Sequence, residues 1–136
     1  MLAYLDSSAL VKRLFHEDGS ETLRAAIRDG AVAHTRFVTS ALARVEVARV
    51  ARMRSDALPP RHIAVAASEA FLGVAVAQLT RPVLESARVI GPPALRSLDA
   101  IHVATAIAAG VDELWTYDHR MARVAEELGI PVRVPG

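Results

Sequence analysis

MLAYLDSSAL, residues 1–10, runs four mostly apolar residues of buried-strand character straight into Asp6, Ser7 and Ser8, and apolar residues resume at once. Residues 2 to 6 read as a strand, followed without a linker by a helix from Ser7 or Ser8 to about Phe15. A carboxylate at the mouth of a core strand asks for a reason, and the rest of the chain supplies its companions.

Working outward, the loop HEDGS ends the first helix, and Ser20 reads as the N-cap of a second helix that stops at Gly30. RFVTS, residues 36–40, is a β-branched run whose Thr39 or Ser40 can cap a long helix through about Arg54. SDALPP breaks the chain, and Pro59 and Pro60 suit the first turn of a helix reaching Phe71 or Leu72. VAVAQL, residues 74–79, then reads as strand and Thr80 to about Val89 as helix. After IGPP, Ser97 caps a helix from about Leu98 to Ala109 that stops at Gly110 and, being apolar almost all round, belongs inside. DELWTYD gives a strand ending at Asp118, RMARVAEEL a helix, and PVRV a last short strand.

Strands alternating with helices predict an α/β domain with a central, mostly parallel sheet covered on both faces by right-handed crossovers. The 136 residues fit one domain spanning 1–136, with no repeat, low-complexity tract or linker. Hydrophobic residues at 52% and charged residues at 23% exclude a disordered chain. Glu69 and His102 interrupt the two best apolar runs, so no membrane span is expected, and without a secretory signal the cytoplasm is the expected compartment. The absence of cysteine removes thiolate chemistry, leaving oxygen and histidine as metal donors.

In parallel sheets, sites form beyond the carboxyl ends of strands, and Asp6 and Asp118 both sit there. Glu46 shares its helix face with apolar Leu42, Val50 and Met53, which lie within about 40° of it. Asp99 stands two residues after Ser97 on the helix predicted to be buried. Singly, each has a plain explanation: Asp6 and Asp118 as N-caps, Asp99 as first-turn acid, Glu46 as partner of Arg49. Together, two strand ends and two apolar helix faces can converge on one cleft.

Gathering four carboxylates without a cation is expensive, since two of them at 4 Å repel by roughly 4 kcal/mol at an effective dielectric of 20. An all-oxygen cluster suits the hard ions magnesium or manganese, and a water bound to such an ion is a nucleophile for phosphodiester cleavage. With four acids in one pocket, sixteen basic residues face eleven acidic ones elsewhere, a surround suited to a phosphate polymer.

YLDSSALVKRL, TSALARVEVARV, LRSLDAIHVATAIAAG and LWTYDHRMARVAEELGIPV, in this order and at these separations, resemble the PIN-domain ribonucleases of the VapC toxin type over essentially the whole chain. The resemblance implies a PIN-like α/β/α sandwich, a magnesium- or manganese-dependent endoribonuclease, a VapB-type antitoxin partner and a homodimer. It carries metal-site and catalytic roles onto Asp6, Glu46, Asp99 and Asp118, the last matching a more variable acid that acts through water or a second ion. Ser8 and Thr116 match polar positions that support the site. In related toxins the antitoxin tail covers the cleft and presents an arginine to the acids.

Lys12, Arg13, Arg36, Arg44, Arg96 and Arg120 fall near the expected mouth or its helices and are candidates for RNA phosphates, as is His119 beside Asp118. His102, within about 60° of Asp99, reads as a hydrogen-bonded structural histidine. Of Trp115 and Tyr117, at least one is expected in the core. The apolar stripes of residues 20–30 and 60–72 suit either core packing or an antitoxin groove or dimer face. Two rivals remain: a phosphatase-like hydrolase with an aspartyl nucleophile, which wants a second aspartate where Ser8 stands, and a non-catalytic PIN-like module that binds RNA or protein.

Overall fold

The computed structural model describes residues 1–55 and 59–136, so the middle of the SDALPP break lies outside the described residues. Among the described residues, five strands form one sheet: β1 (Leu2–Leu5), β2 (Arg36–Ser40), β3 (Val74–Ala77), β4 (Glu113–Trp115) and β5 (Val132–Arg133). All pairings are parallel, in the order β3-β2-β1-β4-β5. The helices are α1 (Ser7–Leu14), α2 (Ser20–Val32), α3 (Leu42–Arg54), α4 (Pro60–Ser68), α5 (Arg81–Ala87), α6 (Ser97–Ala109) and α7 (His119–Glu127), with a 3-10 turn at Glu69–Phe71.

The period of two along each strand builds the layers. Ala3 and Leu5 of β1, Phe37 of β2 and Trp115 of β4 face one core, where Leu10, Leu23, Val47 and Ile63 meet them from α1 to α4. Tyr4, Val38 and Leu114, one residue out of phase, face the other core with Val103 of α6 and Met121 of α7. Each fully buried Leu or Val contributes about 1.5–3 kcal/mol relative to exposure. Of Trp115 and Tyr117, it is Trp115 that is fully buried, packed edge-on to Phe37 at 5.2 Å. This is the α/β/α sandwich expected from the alternation of elements, with every strand pair parallel.

Chain order explains where a site can form. From β1 the chain winds outward through β2 to β3, then returns across the sheet to place β4 on the other side of β1. The winding reverses between β1 and β4, and the crevice beyond their carboxyl ends is the switch point at which such sheets bind ligands.

Local punctuation differs in several places, among them the start of α6, where Arg96 and not Ser97 stands at the N-cap and no side chain caps the helix. Gly30 lies inside α2, because the helix runs on to Val32; a Cβ at Gly30 would stand 3.0 Å from the Phe37 ring, so the glycine serves packing. Ser20 is the first residue of α2, and its hydroxyl donates to the Lys12 and Phe15 carbonyls of the preceding turn. The buried stripe of α3 is Ala43, Val47 and Ala51, while Met53 is 84% exposed. Glu46 therefore flanks the buried stripe and does not sit at its centre. The stripes in 20–30 and 60–72 supply Leu23, Ala26, Ile27, Ile63, Ala67 and Ala70 to the core. Among the described residues, no helix is long and apolar enough to cross a membrane.

Candidate active site

Asp6 follows β1 directly and caps α1, accepting from the Ala9 amide at 3.0 Å. The cap is only part of its use. Ser8 Oγ donates to Asp6 Oδ1 at 2.6 Å, and Thr116 Oγ1, just past β4, donates to Asp6 Oδ2 at 2.5 Å. Ser8 Oγ also accepts from the Tyr117 amide and Thr116 Oγ1 from the Asp118 amide. The two hydroxyls thus sew the end of β4 to the start of α1 across the switch point, with Asp6 between them. Burial pushes the Asp6 carboxyl above its ordinary range, against the pull of the Ser8 and Thr116 hydroxyls and the Ala9 amide.

Glu46 reaches the same crevice from α3. Its Oε1 accepts from Ser7 Oγ at 2.5 Å and lies 2.5 Å from His102 Nε2, and Arg49 is not its partner. His102 is fully buried on α6, and its Nδ1 is 2.6 Å from the Tyr4 hydroxyl. Burial and the charges of Asp6 and Glu46 push Tyr4 far above its usual value, so its O–H is a donor. Tyr4 donating to Nδ1 leaves the proton of a neutral ring on Nε2, which then donates to Glu46. Burial alone would raise Glu46; the hydrogen bonds from His102 and the Ser7 hydroxyl and the charge of Arg96 outweigh it and hold the carboxyl below its ordinary value.

Asp99 and Asp118 form the outer side. Asp118 caps α7, accepting from the Arg120 and Met121 amides. Arg96, the residue before α6, donates through Nε to Asp99 Oδ2 at 3.0 Å and through Nη2 to Asp118 Oδ2 at 3.2 Å. One guanidinium spans two acids from different elements while 63% of its side chain faces solvent. The i,i+3 spacing of Arg96 and Asp99 was a readable signal for half of this clamp; its reach to Asp118, twenty-two residues away, was not.

The remaining cations are placed unequally. His119 and Arg120 are exposed at the start of α7, beside Asp118. Arg44 is exposed in α3 with its guanidinium 5.5 Å from the Phe71 ring. Lys12 is held by the Asp18 carbonyl and lies 4.6 Å over the Tyr117 ring, and Arg13 donates to the Ala70 and Leu72 carbonyls. Both are tied into the fold. Arg36 stands away from the mouth where the reading of the sequence put it: it pairs with Leu2 at the start of β1, four residues or about 13 Å from Asp6 along a parallel strand.

The donor chemistry fits a hard divalent ion. The acids offer only carboxylate oxygens, Asp6 is buried and among the described residues has no cation paired to it, and the Arg96 guanidinium already sits as positive charge between two of them. Among the described residues, no three His, Asp or Glu side chains converge tightly enough to hold an ion as they stand, so the set is an open one.

The PIN domain family matches residues 3–127. Ribonuclease VapC46 of Mycobacterium tuberculosis is 40% identical over 134 residues, covering 97% of this chain and 96% of the relative. Ribonuclease VapC35 of the same species is 37% identical over 140 residues, covering 99% and 98%. The chain belongs to the PIN-domain family, within its VapC group. Among solved structures, VapBC2 from Rickettsia felis bound to a DNA fragment from their promoter aligns with TM-score 0.69 over 98% of both chains at 12% identity. Mycobacterium tuberculosis VapC20, a sarcin-ricin loop cleaving toxin, aligns with TM-score 0.67 over 89% of this chain and 93% of that one at 17% identity. At such identities these two likenesses speak for the fold alone.

Proposed function

We propose that this protein is an endoribonuclease toxin of a VapBC-type pair, hydrolysing RNA phosphodiester bonds with magnesium or manganese held by Asp6, Glu46 and Asp99 and supported by Asp118. The observation that carries the reading is a linked set of carboxylates at the β1/β4 switch point: the Thr116 hydroxyl donates to Asp6 and accepts from the Asp118 amide, Arg96 bridges Asp118 to Asp99, and Ser7, next to Asp6, donates to Glu46. Whole-chain similarity to proteins named ribonuclease VapC supports the same conclusion. When bound, the ion supplies a nucleophilic water at neutral pH and steadies charge on the phosphate.

The chain's own residues do the rest. Thr116 and Ser8 fix the rotamer of Asp6, and the Tyr4–His102 pair with Ser7 fixes Glu46, so both acids are oriented before substrate arrives. The Arg96 clamp keeps Asp99 and Asp118 on one side of the crevice. A VapB-type antitoxin and pairing with a second copy belong to the same proposal, as does action in the cytoplasm; whole-chain similarity to ribonucleases of the VapC group supports the antitoxin.

The test is cleavage of total RNA by purified protein with manganese, magnesium or chelator. Cleavage that needs the ion and disappears in Asp6→Asn and Asp99→Asn is expected. Cleavage that persists at wild-type rate in both variants would refute the assignment, and RNA binding without cleavage would favour a binding module.

A further inference from the structure

Beside the acid set lies a second concavity. The loop leading into α6 and the outer face of α7 enclose a pocket of about 260 Å³, walled by Arg96, Arg120 and Arg123 and floored by Pro92, Leu95 and Val124. Its floor is built through Gly91, which has φ +72° and where a Cβ would stand 2.9 Å from Leu95 and 3.2 Å from Val124. Only a glycine there lets these two side chains close over the backbone. Arg120 and Arg123 are exposed and, among the described residues, have no ion-pair partner. Arg123 was not singled out by the sequence, because one turn of helix beyond Arg120 it reads as ordinary solvated surface.

We propose that this pocket seats one nucleotide of the RNA next to the cleaved bond, its phosphate on Arg120 and Arg123 and its sugar and base against Leu95 and Val124; this rests on the ribonuclease reading above. The chemistry is that of single-stranded RNA sites, where guanidinium groups hold phosphate and their planes face an unstacked base, here with Leu95 and Val124 as the apolar contact beneath. The volume lies below the ~300–1,000 Å³ typical of sites for drug-sized ligands, which suits a single nucleotide and not a duplex. Adjacency gives the direction. Asp99 of the acid set and Arg96, which clamps it to Asp118, both line the pocket, so a strand anchored here runs on past the carboxylates.

The experiment compares wild type with Arg123→Gln, the Arg120→Gln/Arg123→Gln double variant and, as control, Arg52→Gln on the exposed side of α3. Steady-state cleavage of a single-stranded RNA is measured beside binding of a non-cleavable 2′-O-methyl oligonucleotide at several salt concentrations. The double variant is expected to raise KM by about tenfold while kcat stays within about twofold, and to flatten the slope of log affinity against log salt by about 0.7 per lost contact. Arg52→Gln should leave both unchanged. A wild-type enzyme whose KM and salt slope survive in the double variant overturns the pocket but not the ribonuclease assignment; a wild type that neither cleaves nor binds RNA overturns both. Unchanged RNA binding with loss of a poly-glutamate peptide would reassign the arginines to an acidic protein segment and overturn the nucleotide proposal.

Discussion

The inner and outer sides of the acid set are held by opposite means. Asp6 and Glu46 are oriented by hydroxyls and a buried imidazole, donors that fix geometry while leaving the negative charge largely uncompensated. Asp99 and Asp118 are held by a full positive charge on a side chain that remains mostly in water. A buried guanidinium would be hard to remove, whereas one in solvent is screened and exchangeable. The difference teaches that the interior of the site is built for accuracy and its rim for exchange of charge.

The largest effect should come from breaking the inner side at its charge. Asp6→Asn is expected to lower RNA cleavage by roughly 10²–10³-fold without loss of thermal stability in chelator. The sign follows from the raised Asp6 carboxyl: a folded-state value above the unfolded one means stability is lost as pH rises through the folded value, so removing the charge relieves that loss. A melting temperature that falls in Asp6→Asn at pH 8, measured by calorimetry, would contradict this account.

Next comes the neutral scaffold behind Glu46. His102→Ala deprives both Tyr4 and Glu46 of a partner and opens a cavity in a fully buried position. Denaturant unfolding should show about 2–4 kcal/mol of destabilisation, with about 10–100-fold less activity in the protein that remains folded. Tyr4→Phe, which leaves the ring in place, should cost about 1–2 kcal/mol.

On the rim the expected effects are smaller and of different sign. Arg96→Ala removes the positive charge from Asp99 and Asp118, so manganese binding measured by calorimetry should tighten severalfold while stability hardly moves. Weaker manganese binding in this variant would mean that the guanidinium organises the acids and does not compete for them. Smallest of all, Arg36→Gln at the far end of the sheet should change neither RNA cleavage nor, beyond about 0.5 kcal/mol, stability.

Much of this arrangement was readable one residue at a time. Asp6 after an apolar run, Asp99 after Ser97 and Asp118 before the last helical pattern all lie where the strand and helix periods place them, because those signals are local. Glu46 stands out in the sequence because apolar Leu42, Val50 and Met53 share its helix face, whereas the buried stripe runs through Ala43, Val47 and Ala51 beside it. His102 was read correctly as hydrogen-bonded, but its partners Tyr4 and Glu46 lie 98 and 56 residues away, beyond any local pattern. Arg36 was misplaced because a strand's first residue and its last look alike in sequence yet lie at opposite ends of the sheet.

By itself, then, the amino-acid sequence determined the alternation of strands and helices, the two-faced burial of the sheet and the acids that stop its strands, since these follow from periodicity and capping within a few residues of each position. Tertiary structure alone decided which donors meet which acids: Thr116 with Asp6, Tyr4 through His102 with Glu46, Arg96 with Asp99 and Asp118 together. The physical reason is that strand order, set by how the crossovers pack, brings chain-distant ends to one crevice, and side-chain hydrogen bonds form only across the distances that this packing closes.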